Sequence, residues 1–241
     1  MIKEKGEKII RNTLDFKKIK MLMAGIAACS VIATNVTAST AFAYDREKAV
    51  KYADEYCKST NSEYDSFKSD CTNYASQVLK AGGYSAKAIP SSKVSYFDLG
   101  GTKETTEYWC NKKYTKKFGP ASRTDFVTTT TWSCVDQLAG EDFYGLQDYM
   151  VNKLGKTRLV WGISDNSFDK LAKEAHEGDI IQIAKAGSRF SHSYVVGKVK
   201  NGKVYVYAHT GNRDATDDDE LHKMKRDGAF DQYVMIALIQ A

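Results

Sequence analysis

Cysteine and histidine are the side chains that together perform nucleophilic acyl chemistry, and this sequence places them suggestively. Cys71 sits in Ser69-Asp70-Cys71-Thr72-Asn73-Tyr74-Ala75-Ser76-Gln77-Val78-Leu79, which stops at Gly82-Gly83. Asp70 or Ser69 reads as an N-cap, Tyr74, Ala75, Val78 and Leu79 as an apolar face, and the glycines as a C-terminal stop. Cys71 then falls in the first turn of a helix. There the free backbone N–H groups and the macrodipole favour a thiolate and can receive an oxyanion. A buried small residue near a cap is the plainer explanation, so a histidine partner is required.

Four histidines are candidates: His176, His192, His209 and His222. From Gly178 onward the chain reads as β. Asp179–Ala184 and Ser193–Lys200 form strands, and Asn201-Gly202 makes a tight hairpin to Lys203–Ala208. Gln232–Gln240 is a further strand, apolar enough to be central. A two-residue loop pairs Lys200 with Lys203 and sets His192 opposite Gly211. His209 is then a diagonal neighbour on the same face, within reach of an imidazole–imidazole hydrogen bond. Asn212 falls on the other face, and a bulge near His192 would reverse the choice between the two. His176 closes a short helix and needs only a dipole interaction to explain it. His222 lies in a charged segment and is expected to be solvated.

The elements that position these groups occupy only part of the chain. The 241 residues carry 35 Lys+Arg against 30 Asp+Glu, a formal charge of +5, and 12% are aromatic. That content marks a folded globular protein. Residues 1–43 hold seven lysines and arginines before an apolar run, Met21–Val36, and end in Ala41-Phe42-Ala43. This reads as a secretory signal peptide cleaved after Ala43. The run is too short for a spanning helix, so no stable membrane insertion is expected. Ile26-Ala27-Ala28-Cys29 offers the alternative of a lipoprotein anchored through Cys29. Removing residues 1–43 takes 7 basic and 3 acidic residues, leaving 28 against 27. The basic excess is targeting, and nucleic acid is not an expected partner.

Residues 44–241 are expected to form a single domain. An N-terminal helix capped by Asp45 puts Ala49, Val50, Ala53, Tyr56 and Cys57 on one face, making Cys57 a core thiol. Cys110 and Cys134 lie in a long irregular region. Export and elimination make them the candidate disulfide. No C-x-x-C or H-x-x-x-H pair occurs, so neither a metal site nor a cofactor is expected. Trp109, Trp132, Tyr108 and Tyr114 either wall a cleft or simply pack. Lys112–Lys117 reads as a solvated loop, and Asp214–Glu220 as a solvent-facing acidic segment.

These residues resemble the secreted "putative amidase domain" family, within the papain-like, NlpC-type cysteine hydrolases. The resemblance rests on Tyr44-Asp45-Arg46-Glu47-Lys48-Ala49-Val50-Lys51-Tyr52-Ala53, the Asn61 to Tyr64 step, Asp70-Cys71-Thr72-Asn73 through Gln77, and Gly82-Gly83. It continues in Trp109, Trp132-Ser133, Gly178-Asp179, His192-Ser193 and Ala208-His209-Thr210. Tyr74 departs from it, phenylalanine being commoner there. The resemblance implies an α+β, papain-like fold with the nucleophile helix packed on an antiparallel sheet, and residues 84–160 as a long family-specific insertion. It implies Cys71 as nucleophile, His192 as base and His209 as third residue. Tyr64, Asn61 and Asn73 are candidate oxyanion or substrate donors beside the Cys71 backbone N–H. The expected partner is a peptide or peptidoglycan substrate, met by a monomer. A transglutaminase-like acyltransferase and a catalytically silent binding domain are the alternatives.

Overall fold

The computed structural model describes residues 43–93, 107–118, 123–130, 146–188 and 190–241. The signal-like segment, Trp132 and Cys134 lie outside them, so cleavage, lipidation and the Cys110–Cys134 pairing do too. Asp45 caps α1 (Arg46–Tyr56), its carboxylate accepting the Lys48 N–H at 3.0 Å. Helix α2 is Cys71–Ala81, and every residue from Cys71 to Leu79 is buried. Residues 111–118 (β1) and 123–130 (β2) pair as a separate antiparallel ribbon. The region read as irregular, including Lys112–Lys117, is therefore partly a hairpin.

A helical turn, α3 (Leu146–Asp148), leads into a π-turn at Tyr149–Lys153. Then follow β3 (Arg158–Gly162), α4 (Asp165–Glu174), β4 (Ile180–Lys185), β5 (Phe190–Lys200), β6 (Lys203–Ala208) and β7 (Arg213–Asp214). The chain ends with α5 (Leu221–Arg226) and β8 (Tyr233–Ile239). The main sheet runs β3-β8-β4-β5-β6-β7, and every pairing is antiparallel. The architecture is α+β, and β8 is central as its apolar sequence requires.

Both sheet faces are covered. Ile180, Val195, Tyr207 and Ile239 pack with Ala53, Tyr74, Val78 and Leu79 of α1 and α2. Ile181, Ile183, Val206 and Leu238 pack with Phe168 and Leu171 of α4 and Met224 of α5. The alternation of neighbours Ile180 and Ile181 between the clusters follows from the strand period of two. Burying each large aliphatic side chain of α2 contributes about 1.5–3 kcal/mol, which anchors the helix carrying Cys71.

The hairpin register departs from the expected one. Lys200 pairs with Lys203 and Lys198 with Tyr205, but beyond Gly197 the pairs become Val196–Val206 and Val195–Tyr207. Gly197 is the bulge residue. A Cβ there would lie 2.6 Å from the Tyr207 ring and 2.7 Å from the Ala215 Cβ, so only glycine fits. The ladder stops at Ala208, which pairs with Arg213. His209 leaves it into a turn where Thr210, Gly211 and Asn212 all have positive φ.

The Gly178-Asp179 motif is scaffolding. Gly178 has φ +85° and lies against Tyr44. The fully buried Asp179 accepts from Arg46 at 2.7 Å and from the His176 N–H at 2.8 Å, tying α1 to the sheet. Among the described residues no helix is long and apolar enough to cross a membrane.

Candidate active site

Helix α2 enters the core with Cys71 as its first residue, 5% exposed. As a first-turn residue it has no intrahelical acceptor for its N–H. The Cys71 Sγ lies 3.7 Å from the Thr72 hydroxyl, and the backbone N–H of Ser193 donates toward it. Burial pushes the thiol up from its ordinary value, while those donors pull it down. The net direction is upward, because desolvation, with the Asp70 charge adding to it, outweighs those donors.

His192 precedes Ser193 on β5, opposite Ile183. Its ring stands edge-on to Tyr194, with centroids 4.4 Å apart. Burial first, then the nearby Arg213 guanidinium, pushes its pKa down to about 4. The two shifts favour a neutral Cys71 thiol and a neutral His192 imidazole. Among the described residues neither ring nitrogen of His192 is hydrogen-bonded.

His209 does not orient His192, as the expected register required. Its Nδ1–H donates to the Asp70 carboxylate at 2.7 Å and its Nε2–H to the Tyr56 carbonyl at 2.6 Å. The Tyr74 ring stacks on it at 4.1 Å. Both ring nitrogens face acceptors, so the imidazolium form suits the site. Asn212 is exposed in the turn at φ 48° and does not replace it.

Asp70 precedes α2 but caps none of its N–H groups with its side chain. Its carboxylate instead accepts from the Phe67 N–H and the Asn73 amide, each at 2.9 Å, as well as from His209. Its own N–H donates to the Thr210 hydroxyl at 3.2 Å. These bonds fix the backbone immediately before Cys71.

Two of the three oxyanion candidates are committed elsewhere. The fully buried Asn73 donates to the Asp65 carbonyl and Asp70, and accepts from Asn111. Asn61 donates to the Tyr52 hydroxyl and accepts from the Glu63 N–H in a turn. Tyr64 is half-buried against the core containing Tyr74 and Val78.

Of the two roles open to Trp109, packing is the one observed, whereas His222 and the acidic segment differ from the expectation. Trp109 packs in the core, stacks on Tyr149 and donates to the Ser76 hydroxyl at 3.2 Å. His222 is held between Glu220 and Asp169 rather than solvated. Within the acidic segment Asp219 and Glu220 are buried. Asp219 accepts from Arg213, the Asp214 N–H and the Thr216 hydroxyl.

A helix-borne cysteine and a strand-borne histidine inside an α+β domain point to a hydrolase class, and comparison with known proteins agrees at the family level. The "Putative amidase domain" family matches residues 43–233, and the chain belongs to it. An uncharacterised protein of Bacillus subtilis (strain 168), YhbB, is 43% identical over 51 residues, which is 21% of this chain and 16% of that protein. No solved structure matches.

Proposed function

We propose that this protein is a secreted cysteine amidohydrolase of papain-like, NlpC-related type, acting on amide or peptide bonds of peptidoglycan. The observation that carries the reading is Cys71 as first residue of a buried helix that is joined to β5 through Thr72 and Ser193, the residue after His192. Export rests on residues 1–43, and the wall as substrate rests on export.

The Cys71 sulfur attacks the substrate carbonyl carbon while His192 takes the thiol proton. With both groups neutral at rest, proton transfer is concerted with attack. The carbonyl oxygen, now negative, meets the Cys71 backbone N–H. Collapse of the tetrahedral intermediate breaks the C–N bond, and His192 returns the proton to the leaving amine. Water, deprotonated by His192, cleaves the thioester and restores the thiol. His209 acts through Asp70 on the entry to α2 and is a positioning residue.

The test is digestion of purified peptidoglycan by wild type and Cys71→Ala, with products identified by mass spectrometry. New amine and carboxyl termini from the wild type alone support the reading, and identical profiles overturn it. The upward shift of the Cys71 thiol favours one competing reading, a catalytically silent binding domain. Wall binding without cleavage, unchanged in Cys71→Ala, would establish that instead.

A further inference from the structure

Four buried polar side chains connect the Cys71 sulfur to an arginine on the far side of the sheet. Arg158 on β3 donates through Nη1 to Gln147 Oε1. Gln147 Nε2 donates to Gln182 Oε1 at 2.9 Å, and Gln182 Nε2 donates to Ser193 Oγ at 3.1 Å. Ser193 Oγ lies 2.9 Å from Thr72 Oγ1, which lies 3.7 Å from Cys71 Sγ. Gln147, Gln182 and Ser193 are fully buried and Thr72 is 1% exposed, while Arg158 reaches solvent.

The direction of the two amides follows from the first link. A guanidinium has donors and no acceptor, so Gln147 must present its oxygen to Arg158 and its amide hydrogens to Gln182. Gln182 is forced the same way and donates to Ser193. The Ser193 hydroxyl accepts from Gln182 and keeps its own proton free to be given to Thr72. The Thr72 proton is then left for the sulfur. With Ser193 donating to Thr72, every dipole along the path points its positive end toward Cys71, and aligned hydrogen bonds reinforce one another in a low-dielectric interior.

We propose that Arg158, Gln147, Gln182, Ser193 and Thr72 form a directional hydrogen-bond relay that positions and stabilises the Cys71 thiolate as it forms. The inference rests on Cys71 being the nucleophile. A merely structural network would satisfy the same buried groups but has no reason to end on sulfur, with the Ser193 backbone N–H converging there as well. Thr72 and Ser193 thus flank the two reacting side chains in sequence and join their elements in space. They are positioning residues, since they touch the nucleophile and not the substrate.

The test follows alkylation of Cys71 by iodoacetamide across pH in the folded full chain, quantified on the Cys71 peptide by mass spectrometry. Thr72→Val keeps the shape and removes the donor. Its Cys71 alkylation at neutral pH should slow about three- to tenfold, the loss expected for one hydrogen bond to a forming anion, with the profile displaced to higher pH. Thr72→Ser should restore the wild-type profile. Gln182→Met should shift it in the same direction by less. A Thr72→Val profile that overlays the wild type, with only the unfolding midpoint lowered, overturns the relay. Should Thr72→Val not fold, Ser193→Ala removes the preceding link and is read the same way. Because thiol reactivity is measured without substrate, a shifted profile in a protein that cuts no amide would leave the relay standing and sink the hydrolase reading.

Discussion

The Asp70 carboxylate, immediately before Cys71, receives the Nδ1–H of His209, 139 residues away in sequence, at 2.7 Å. Burial alone pushes the His209 ring down, but its bonds to Asp70 and the Tyr56 carbonyl outweigh that and hold it above its ordinary value. A histidine raised on folding adds stability that is complete below its unfolded value, near 6.5, and is lost as pH rises through the folded value. Urea unfolding should therefore show a drop in stability on the alkaline side that is absent in His209→Gln.

Removing the imidazole leaves the Asp70 charge buried without its cation. His209→Ala should cost about 3 kcal/mol, the lower end for breaking a buried pair. In a double-mutant cycle with Asp70→Asn, the second substitution should cost much less on the His209→Ala background than on wild type. Additive losses in denaturant titration would show that the pair is uncoupled.

His192 should titrate far below a free imidazole. With its pKa down to about 4, activity should persist to mildly acidic pH and fall as His192 becomes protonated below that value. Arg213→Gln removes the cation that opposes imidazolium and should move the acid limb upward. NMR titration of the His192 ring protons checks both without a substrate. The same depression means the unfolded chain binds this proton first, so His192 withdraws stability as pH falls from about 6.5 toward 4.

Tyr74 uses its extra oxygen. The hydroxyl donates to the Ala53 carbonyl at 2.6 Å inside the core, while the ring stacks on His209. Tyr74→Phe should cost about 1–3 kcal/mol because that buried carbonyl loses its donor. Calorimetry should show a lower Tm with the pH dependence assigned to His209 preserved.

Gly197→Ala tests the register. The added methyl must displace Tyr207 and Ala215, at a cost of about 1–3 kcal/mol for overpacking. Equal stability of the variant in urea would mean that the bulge is not fixed by these contacts.

The elements that carry the site were legible because local signals agreed. The spacing of Tyr74, Ala75, Val78 and Leu79 and the stop at Gly82 define α2, and Asn201-Gly202 defines the hairpin. What failed was the extension of a register across Gly197. A glycine inside a strand is the signal for a bulge, and one extra residue turns every later side chain to the other face. That slip is why His209 was set beside His192 rather than Asp70. Asn61 and Asn73 looked like free donors because their partners, Tyr52, Asp65 and Asp70, are joined to them through turns. The relay had one local clue, Gln182 between Ile181 and Ile183 in a buried strand. Its other members are scattered from Thr72 to Ser193, and no periodicity links them.

His209 gathers three segments at one ring: the end of α1 at Tyr56, the entry to α2 at Asp70, and the turn after β6. The helix that begins at Cys71 is thus pinned by a residue made long after it. While the chain is being synthesised, or before its C-terminal strands have docked, Cys71 is an ordinary thiol on an unpinned segment. The entry to α2 is therefore complete only once residue 209 has been made and docked.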